Sequence, residues 1–238
     1  KNIIKKYDDY KYYIAMVKAN AYNHGYYVVK EMINSGINYL AVSSLNEAIE
    51  IRKYNKTIPV LVTEIVDLDN IDEVIKHNIT LTVCDIDYLN ELIRLNKKIT
   101  VHIKIDTGMH RLGVNSKDEF NNMYGLINNS KNIYLEGLYT HFATPGVTDD
   151  FFDKQVKKFK EITSSINLKN IPIIHMSSSF ILLAHPKIEF ANGIRIGTIL
   201  YGYDISPKSY PNNIMGNAII YNFSLNELIE KEKRKRKN

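Results

Sequence analysis

The chain has 238 residues, enough for one large domain or two small ones, and its 45% hydrophobic and 24% charged residues are ordinary for a globular protein. Disorder, a collagen-like repeat and a small disulfide scaffold are therefore excluded. The formal net charge of +5 comes from residues 231–237, because residues 1–230 balance to zero and give no indication of a nucleic-acid partner. We expect this basic end to be a solvated terminus, although such a run can also bind nucleic acid or a membrane surface.

Cysteine use and hydropathy predict where the protein resides. The single cysteine, Cys84, follows an apolar run and has no partner for an internal disulfide, which is typical of the reducing cytoplasm. No apolar run approaches the ~18 residues that a membrane span needs, and residues 1–13 lack the apolar segment of a signal peptide. We therefore predict a cytoplasmic location and no membrane span. Because the sequence begins without Met in a polar, helix-like stretch, we also expect a fragment of a longer chain.

Eight short apolar, β-branched runs alternate with amphipathic stretches along the chain. The predicted strands are residues 13–18, 39–42, 58–62, 79–83, 100–105, 133–140, 171–175 and 193–196, and the predicted helices include residues 45–54, 71–77, 87–95, 118–127 and 149–166. This alternation is typical of βα units, and eight of them in about 200 residues predict an α/β fold of the (β/α)8 TIM-type barrel class. Loop residues follow the last strand, so we assign residues 1–203 to the barrel and residues 204–238 to a separate end region.

Reactive side chains fall where the predicted strands end, which is where enzymes with barrels of this class build their sites. Lys18 ends strand 1, Arg111 follows strand 5, His141 ends strand 6, Ser177, Ser178 and Ser179 follow strand 7, and Arg195 lies on strand 8. A lysine at the mouth of an apolar strand is expected to be partly desolvated, which favours the neutral amine and Schiff-base chemistry. Taken alone, each of these residues also has a purely structural explanation.

The serines after strand 7 and the glycine loop after strand 8 lie where barrels commonly hold a phosphate group. A lysine opposite a phosphate site suggests pyridoxal phosphate. In such a site the lysine binds the cofactor as a Schiff base, and the cofactor supplies the electron sink for a carbanion.

Four segments, in order along residues 16–202, carry a family resemblance. They are Met-Val-Lys-Ala-Asn-Ala-Tyr-Asn-His-Gly at residues 16–25, Val-His-Ile-Lys-Ile-Asp-Thr-Gly-Met-His-Arg-Leu-Gly at 101–113, Thr-His-Phe-Ala at 140–143 and Arg-Ile-Gly-Thr-Ile-Leu-Tyr-Gly at 195–202. The first resembles the cofactor-lysine signature of alanine racemases, and the others resemble three further blocks of that family. The resemblance implies a pyridoxal-phosphate-dependent isomerase that interconverts L- and D-alanine by α-proton abstraction from an external aldimine. It further implies D-alanine supply for the bacterial cell wall.

The same resemblance implies roles for individual residues that bind the cofactor. Lys18 would bind it covalently and act as the base facing the α-proton of the D-enantiomer. Tyr22, Ser179 and the backbone N–H groups of Gly197 and Thr198 would bind its phosphate. No metal ligands are implied.

Four more residues have implied roles around the cofactor ring and the substrate. Arg195 would face the pyridine nitrogen, and because a guanidinium does not readily release its proton, that nitrogen would stay unprotonated. His141 would hydrogen-bond Arg195, and Arg111 would lie near the phenolic oxygen and the substrate carboxylate. Lys104 matches a position that many members of the family carbamylate.

The sequence departs from the family pattern in several places. Ser178 replaces the usual Asn, and His110 stands where Gly is frequent. The Met-His-Arg variant also resembles the racemase domain of serine racemases from vancomycin resistance, so serine remains an alternative substrate to alanine. The family's C-terminal β-domain, whose tyrosine is the second base and through which the family forms homodimers, has no match here. We therefore expect a truncated racemase with weak or no racemisation by these 238 residues alone.

Two other functions remain open. A pyridoxal-phosphate-binding homeostasis protein has a similar barrel and a similar length without racemase activity, but the four segments do not resemble it. A decarboxylase of the same barrel class would place a carboxylate against the pyridine nitrogen, and Arg195 disfavours that alternative.

Overall fold

A computed structural model describes residues 2–144 and 150–202 and confirms the predicted barrel. Its eight strands are β1 (Tyr12–Met16), β2 (Tyr39–Val42), β3 (Val60–Val62), β4 (Leu81–Val83), β5 (Ile99–Lys104), β6 (Ile133–Tyr139), β7 (Ile173–Ser177) and β8 (Gly193–Ile196). The strand order is β3-β2-β1-β8-β7-β6-β5-β4, and the paired strands are parallel. A parallel bridge between Leu61 and Thr80 joins β3 to β4, so the sheet closes on itself.

The described part of the chain contains three 3-10 helices (Leu68–Asn70, Leu168–Asn170 and Thr198–Tyr201) and nine α-helical segments, all of which except the first lie between two strands. The α-helical segments are α1 (Asn2–Lys6), α2 (Lys18–Tyr22), α3 (Val28–Asn34), α4 (Leu45–Ile51), α5 (Ile71–Lys76), α6 (Ile86–Arg94), α7 (Lys117–Asn129), α8 (Phe151–Ile162) and α9 (Ser179–Ala184). Side chains of Ser44, Asp85 and Ser116 cap α4, α6 and α7 by accepting a backbone N–H, as the polar residues before those helices predict. None of the helices in residues 2–144 and 150–202 is long and apolar enough to cross a membrane.

Several element boundaries differ from the predicted ones for identifiable reasons. Strand β1 ends at Met16 and not at Lys18, because the backbone leaves the extended conformation at Val17 and turns left-handed from Ala19. Strand β3 begins after Pro59, which has no N–H to donate to a neighbouring strand. Residue 149 of the predicted helix 149–166, and the whole predicted end region 204–238, lie outside the described residues.

The barrel encloses an interior that is partly apolar and partly charged. Its apolar side chains form one buried cluster, which consists of Ile14, Tyr39, Ala41, Leu61, Tyr139 and Ile173. Four basic side chains, those of His102, Lys104, His175 and Arg195, are buried in the same barrel. Because burying charged or polar groups costs free energy unless they are hydrogen-bonded, these residues mark the part of the fold that packing alone does not explain.

Candidate functional site

Lys18 lies just beyond β1, at the start of a turn with unusual backbone geometry. Ala19, Asn20, Ala21 and Tyr22 all adopt left-handed conformations, with φ between 51° and 55°. Such a conformation costs roughly 1–2 kcal/mol for each residue with a side chain, so surrounding contacts must hold the turn. The Lys18 side chain is exposed at this end of the barrel, and the partial desolvation expected from the sequence is therefore wrong.

The carboxylate of Glu47, on helix α4, holds the beginning of this turn. Its Oε1 accepts the backbone N–H of Ala19 at 2.6 Å. Its Oε2 accepts the N–H groups of Ser43 at 2.9 Å and Ser44 at 3.4 Å, as part of the capping box of α4. One carboxylate thus ties the residue after Lys18 to the start of the neighbouring helix.

Tyr22, Ser179 and Gly197 meet at the carboxyl ends of β1, β7 and β8. The N–H of Gly197 donates to Ser179 Oγ at 3.0 Å. A Cβ atom added to Gly197 would lie 2.9 Å from Tyr22 Oη, so a side chain there would force the tyrosine hydroxyl to shift. Thr198 follows and begins a 3-10 turn, Thr198–Tyr201. Two hydroxyl groups and the start of a short 3-10 turn therefore lie close together, and groups of this kind can donate hydrogen bonds to a phosphate.

Arg195 is buried on β8, and five backbone and side-chain acceptors hold its guanidinium. Its Nη1 donates to the carbonyl oxygen of His175 at 2.7 Å and lies 2.9 Å from His175 Nδ1. Its Nη2 donates to the carbonyl oxygens of Thr140 at 2.6 Å and Met176 at 3.2 Å. Burial lowers the pKa of Arg195 to about 10, so the guanidinium still carries its charge at neutral pH.

His141 follows β6 and is positioned beside Arg195. Its Nδ1 lies 3.3 Å from Arg195 Nη2, and because a guanidinium only donates, this nitrogen accepts. Burial lowers the pKa of His141, and together with the charges of Arg195, Arg111, Lys104 and Lys18 it brings this pKa to about 3. His141 is therefore a neutral imidazole, and it is a poor base.

Lys104 and Arg111 complete the cationic end of the barrel. Lys104 ends β5 and is 5% exposed, and burial, followed by the charge of Arg111, lowers its pKa to about 8. Arg111 is exposed, in a loop that Asp106 organises by accepting the N–H groups of Gly108, Met109 and His110, each at 3.0 Å.

His110 has a left-handed φ of 54°, the conformation that favours the glycine frequent at this position in the resembling family. Its Nδ1 lies 3.3 Å from Asp106 Oδ2, and this contact compensates part of the cost. The expected departure from the family pattern therefore has a local explanation in the side chain of Asp106.

The structure brings the residues predicted from the sequence to one end of the barrel. The sequence analysis missed four residues whose hydrogen bonds position these predicted residues or their partners. These are Glu47, His102, Glu136 and His175. A signal for two of them was present, since His102 and His175 are polar residues flanked by apolar ones in predicted strands. In a barrel, alternate positions of a strand point inward, so a polar residue in such a pattern indicates a polar interior.

Comparisons with known proteins show the family of this chain. The family model described as alanine racemase, N-terminal domain, matches residues 2–205. Alanine racemase from Halalkalibacterium halodurans is 36% identical over 215 residues, which is 87% of this chain and 55% of that protein. Alanine racemase from Treponema denticola is 37% identical over 203 residues, which is 81% of this chain and 53% of that protein.

A solved structure shows the same similarity in three dimensions. The crystal structure of alanine racemase from E. faecalis matches with a TM-score of 0.80 at 30% identity, and it covers 86% of this chain and 57% of that one. The chain thus spans a little over half the length of the relatives it matches. Its barrel, its four ordered segments and the match over residues 2–205 place this chain in the alanine racemase N-terminal domain family.

Proposed function

We propose that this chain is the cofactor-binding barrel of a pyridoxal-phosphate-dependent amino-acid racemase, an isomerase that acts on alanine. The observation that carries the proposal is the combination at one end of the barrel of a lysine, the neighbouring hydroxyl groups of Tyr22 and Ser179, and a buried arginine. Similarity to alanine racemases supports alanine as the substrate, and serine remains the alternative that the Met-His-Arg segment suggests.

The residues present fit pyridoxal phosphate. Lys18 would hold the cofactor covalently through Nζ, while Tyr22, Ser179 and the backbone of Gly197 and Thr198 would hold the phosphate. The close approach of Tyr22 Oη to Gly197, which a Cβ atom would disturb, supports this assignment. When bound, the cofactor supplies the electron sink that allows an α-proton to leave an amino acid.

The protein's own contribution is to orient groups and to control charge. Arg195 would present a positive guanidinium to the ring nitrogen of the cofactor. Since Arg195 keeps its protons at neutral pH, that nitrogen would receive a hydrogen bond and not a proton. Lys18 Nζ is the base assigned to the α-proton of the D-enantiomer. His141, with its lowered pKa, would act by accepting from Arg195 and not by taking the substrate's proton.

The cations around the site would also select the substrate. Arg111 would attract the substrate carboxylate, and the lowered pKa of Lys104 favours the neutral amine that can react with carbon dioxide. The resulting carbamate, a negative group, would then hold Arg111 in place. We infer that the protein works as a homodimer in the cytoplasm and supplies D-alanine for the cell wall.

Chemical trapping tests the assignment of the cofactor lysine. The chain is mixed with pyridoxal phosphate and reduced with borohydride, which makes the attachment permanent. The masses of its proteolytic peptides are then measured by mass spectrometry. We expect one pyridoxyl group on the peptide that contains Lys18. The label should disappear in Lys18→Ala and persist in Lys11→Ala, a control at another exposed lysine. A label spread evenly over surface lysines would contradict the proposal.

A further inference from the structure

A continuous line of hydrogen bonds crosses the barrel interior, away from Lys18. It begins at Arg195, whose Nη1 lies 2.9 Å from His175 Nδ1. His175 Nε2 then lies 2.9 Å from His102 Nδ1. His102 Nε2 in turn lies 3.0 Å from Glu136 Oε2, to which Tyr39 Oη donates at 2.7 Å. The line therefore has a cation at one end and a carboxylate at the other.

The chemistry of the two end groups determines where the protons lie on both histidines. Arginine only donates, so His175 Nδ1 must accept, and a neutral His175 then carries its proton on Nε2. That proton makes His102 Nδ1 an acceptor, so His102 also carries its proton on Nε2 and donates it to the carboxylate of Glu136. The same tautomers follow when the argument starts from Glu136, since a carboxylate only accepts.

Two features of strand β6 make room for the side chains of this line of hydrogen bonds. Strand β6 has a bulge where Val101 pairs with Leu135 and His102 pairs with Gly137, which leaves Glu136 as the extra residue. A Cβ atom on Gly137 would lie 2.7 Å from the His102 ring, so only glycine leaves space for that imidazole. The bulge and the glycine together place a carboxylate and a histidine where regular strands would put apolar side chains.

We propose that Glu136 is a positioning residue, which fixes the tautomers of His102 and His175 and thereby orients the guanidinium of Arg195. Within the described residues, the hydrogen bonds of Arg195 use Nη1 and Nη2, so its Nε–H remains available to a ligand. The orientation toward pyridoxal phosphate rests on the proposed function. The tautomers are a property of the chain itself.

Burial and neighbouring charges determine which groups along this line of hydrogen bonds are ionised. It lowers the pKa of His102, and it lowers the pKa of His175 still more strongly together with the charge of Arg195, so both imidazoles are neutral. Burial has the largest single effect on the Glu136 carboxyl and opposes its ionisation, but the hydrogen bonds of His102, Tyr39 and Thr80 and the charge interaction with His102 together outweigh it, so the pKa of Glu136 is lowered. The contact between His102 and Glu136 is therefore a hydrogen bond to a carboxylate and not a pair of full charges.

Nitrogen-15 NMR of the histidine rings, in the 238-residue chain without cofactor near neutral pH, tests the proposal. The protonated and the bare ring nitrogens differ widely in chemical shift, and the signals are assigned from those lost in His102→Gln and His175→Gln. We expect one population at each ring, neutral and protonated on Nε2. A proton on Nδ1 of either ring, or a doubly protonated ring, would overturn the proposal without any variant of Glu136.

Variants of Glu136 separate positioning from packing. Glu136→Leu removes the acceptor, so only the bond between Arg195 Nη1 and His175 Nδ1 still favours protons on Nε2. Because Nη1 also donates to the His175 carbonyl oxygen, Arg195 can give up that bond, and we expect a second set of signals with protons on Nδ1. Glu136→Gln should restore the single set, because the two donors from Tyr39 and His102 converge on one oxygen and orient the amide. A single set of signals in Glu136→Leu would show that Arg195 alone fixes the tautomers of both histidines and would contradict the proposal. Failure of Glu136→Gln to restore the single set would contradict it equally. Loss of Lys18 labelling, by contrast, would refute the proposed function and leave the tautomers unaffected.

Discussion

The surroundings of Lys104 change its chemistry strongly. With a pKa of about 8, roughly a tenth of its side chains are neutral at pH 7, and only the neutral amine reacts with carbon dioxide. We therefore expect carbamylation of Lys104 to increase as the pH rises through about 8 and to be lost on acidification. Carbon-13 NMR with labelled bicarbonate should show one carbamate signal, absent in Lys104→Arg. A signal that survives this substitution would assign the carbamate to another lysine.

Single residues also show how far the sequence could predict the site. Lys18, Arg195 and Ser179 were predicted because they follow apolar strands or belong to the segments of residues 16–202. Glu136 gave no such signal, because a bulge and not the regular alternation of a strand directs it inward. The exposure of Lys18 was predicted wrongly, since an apolar strand before a lysine does not reveal that the chain turns outward at the next residue.

At the scale of elements, the left-handed α2 and helix α4 form a pair that Glu47 couples. Glu47→Ala removes the acceptor of the Ala19 N–H, and we expect about tenfold weaker binding of pyridoxal phosphate, equivalent to about 1.4 kcal/mol. The reason is that Lys18 and Tyr22, which would both contact the cofactor, lie at the two ends of this turn. Without the hydrogen bond to Glu47, the turn holds them less firmly. The measurement is a titration followed by the absorbance of the bound cofactor.

Ser44→Ala is the matched control for this coupling. It removes the Ser44 hydroxyl that caps α4 but leaves the bond between Glu47 and Ala19 in place. We expect a loss of about 1 kcal/mol in the free energy of unfolding, with cofactor affinity unchanged. Equal losses of affinity in the two variants would mean that the stability of α4, and not the bond to Ala19, controls the turn.

Elements differed in how well the sequence predicted them. All eight strands were predicted, because each is a run of β-branched and other apolar residues bounded by polar or turn-forming residues. Helix α9 was not, since its six residues Ser-Phe-Ile-Leu-Leu-Ala have no polar face to reveal a helical period. The turn α2 was not predicted either, because Ala, Asn and Tyr rarely adopt left-handed geometry and carry no signal for it.

At the scale of the whole molecule, the barrel interior has an apolar part and a part filled by polar and charged side chains. The apolar cluster around Ile14 and Leu61 fills one part, as in other small barrels. A line of charged and polar side chains fills the other and ends at Arg195. The order of strands and the position of the site were predictable from the sequence, because barrels place function at the carboxyl ends of their strands. The line through the interior was not, since it depends on which side chains meet across the barrel.

The most direct test of the proposed function is α-proton exchange of D-alanine in deuterated water with pyridoxal phosphate present. The proposed function predicts that D-alanine exchanges its α-proton faster than L-alanine does, and that Lys18→Ala abolishes the exchange of D-alanine, because Lys18 is the base assigned to that enantiomer. Exchange of D-alanine that continues unchanged in Lys18→Ala, or no exchange in a chain shown to carry the cofactor on Lys18, would contradict it.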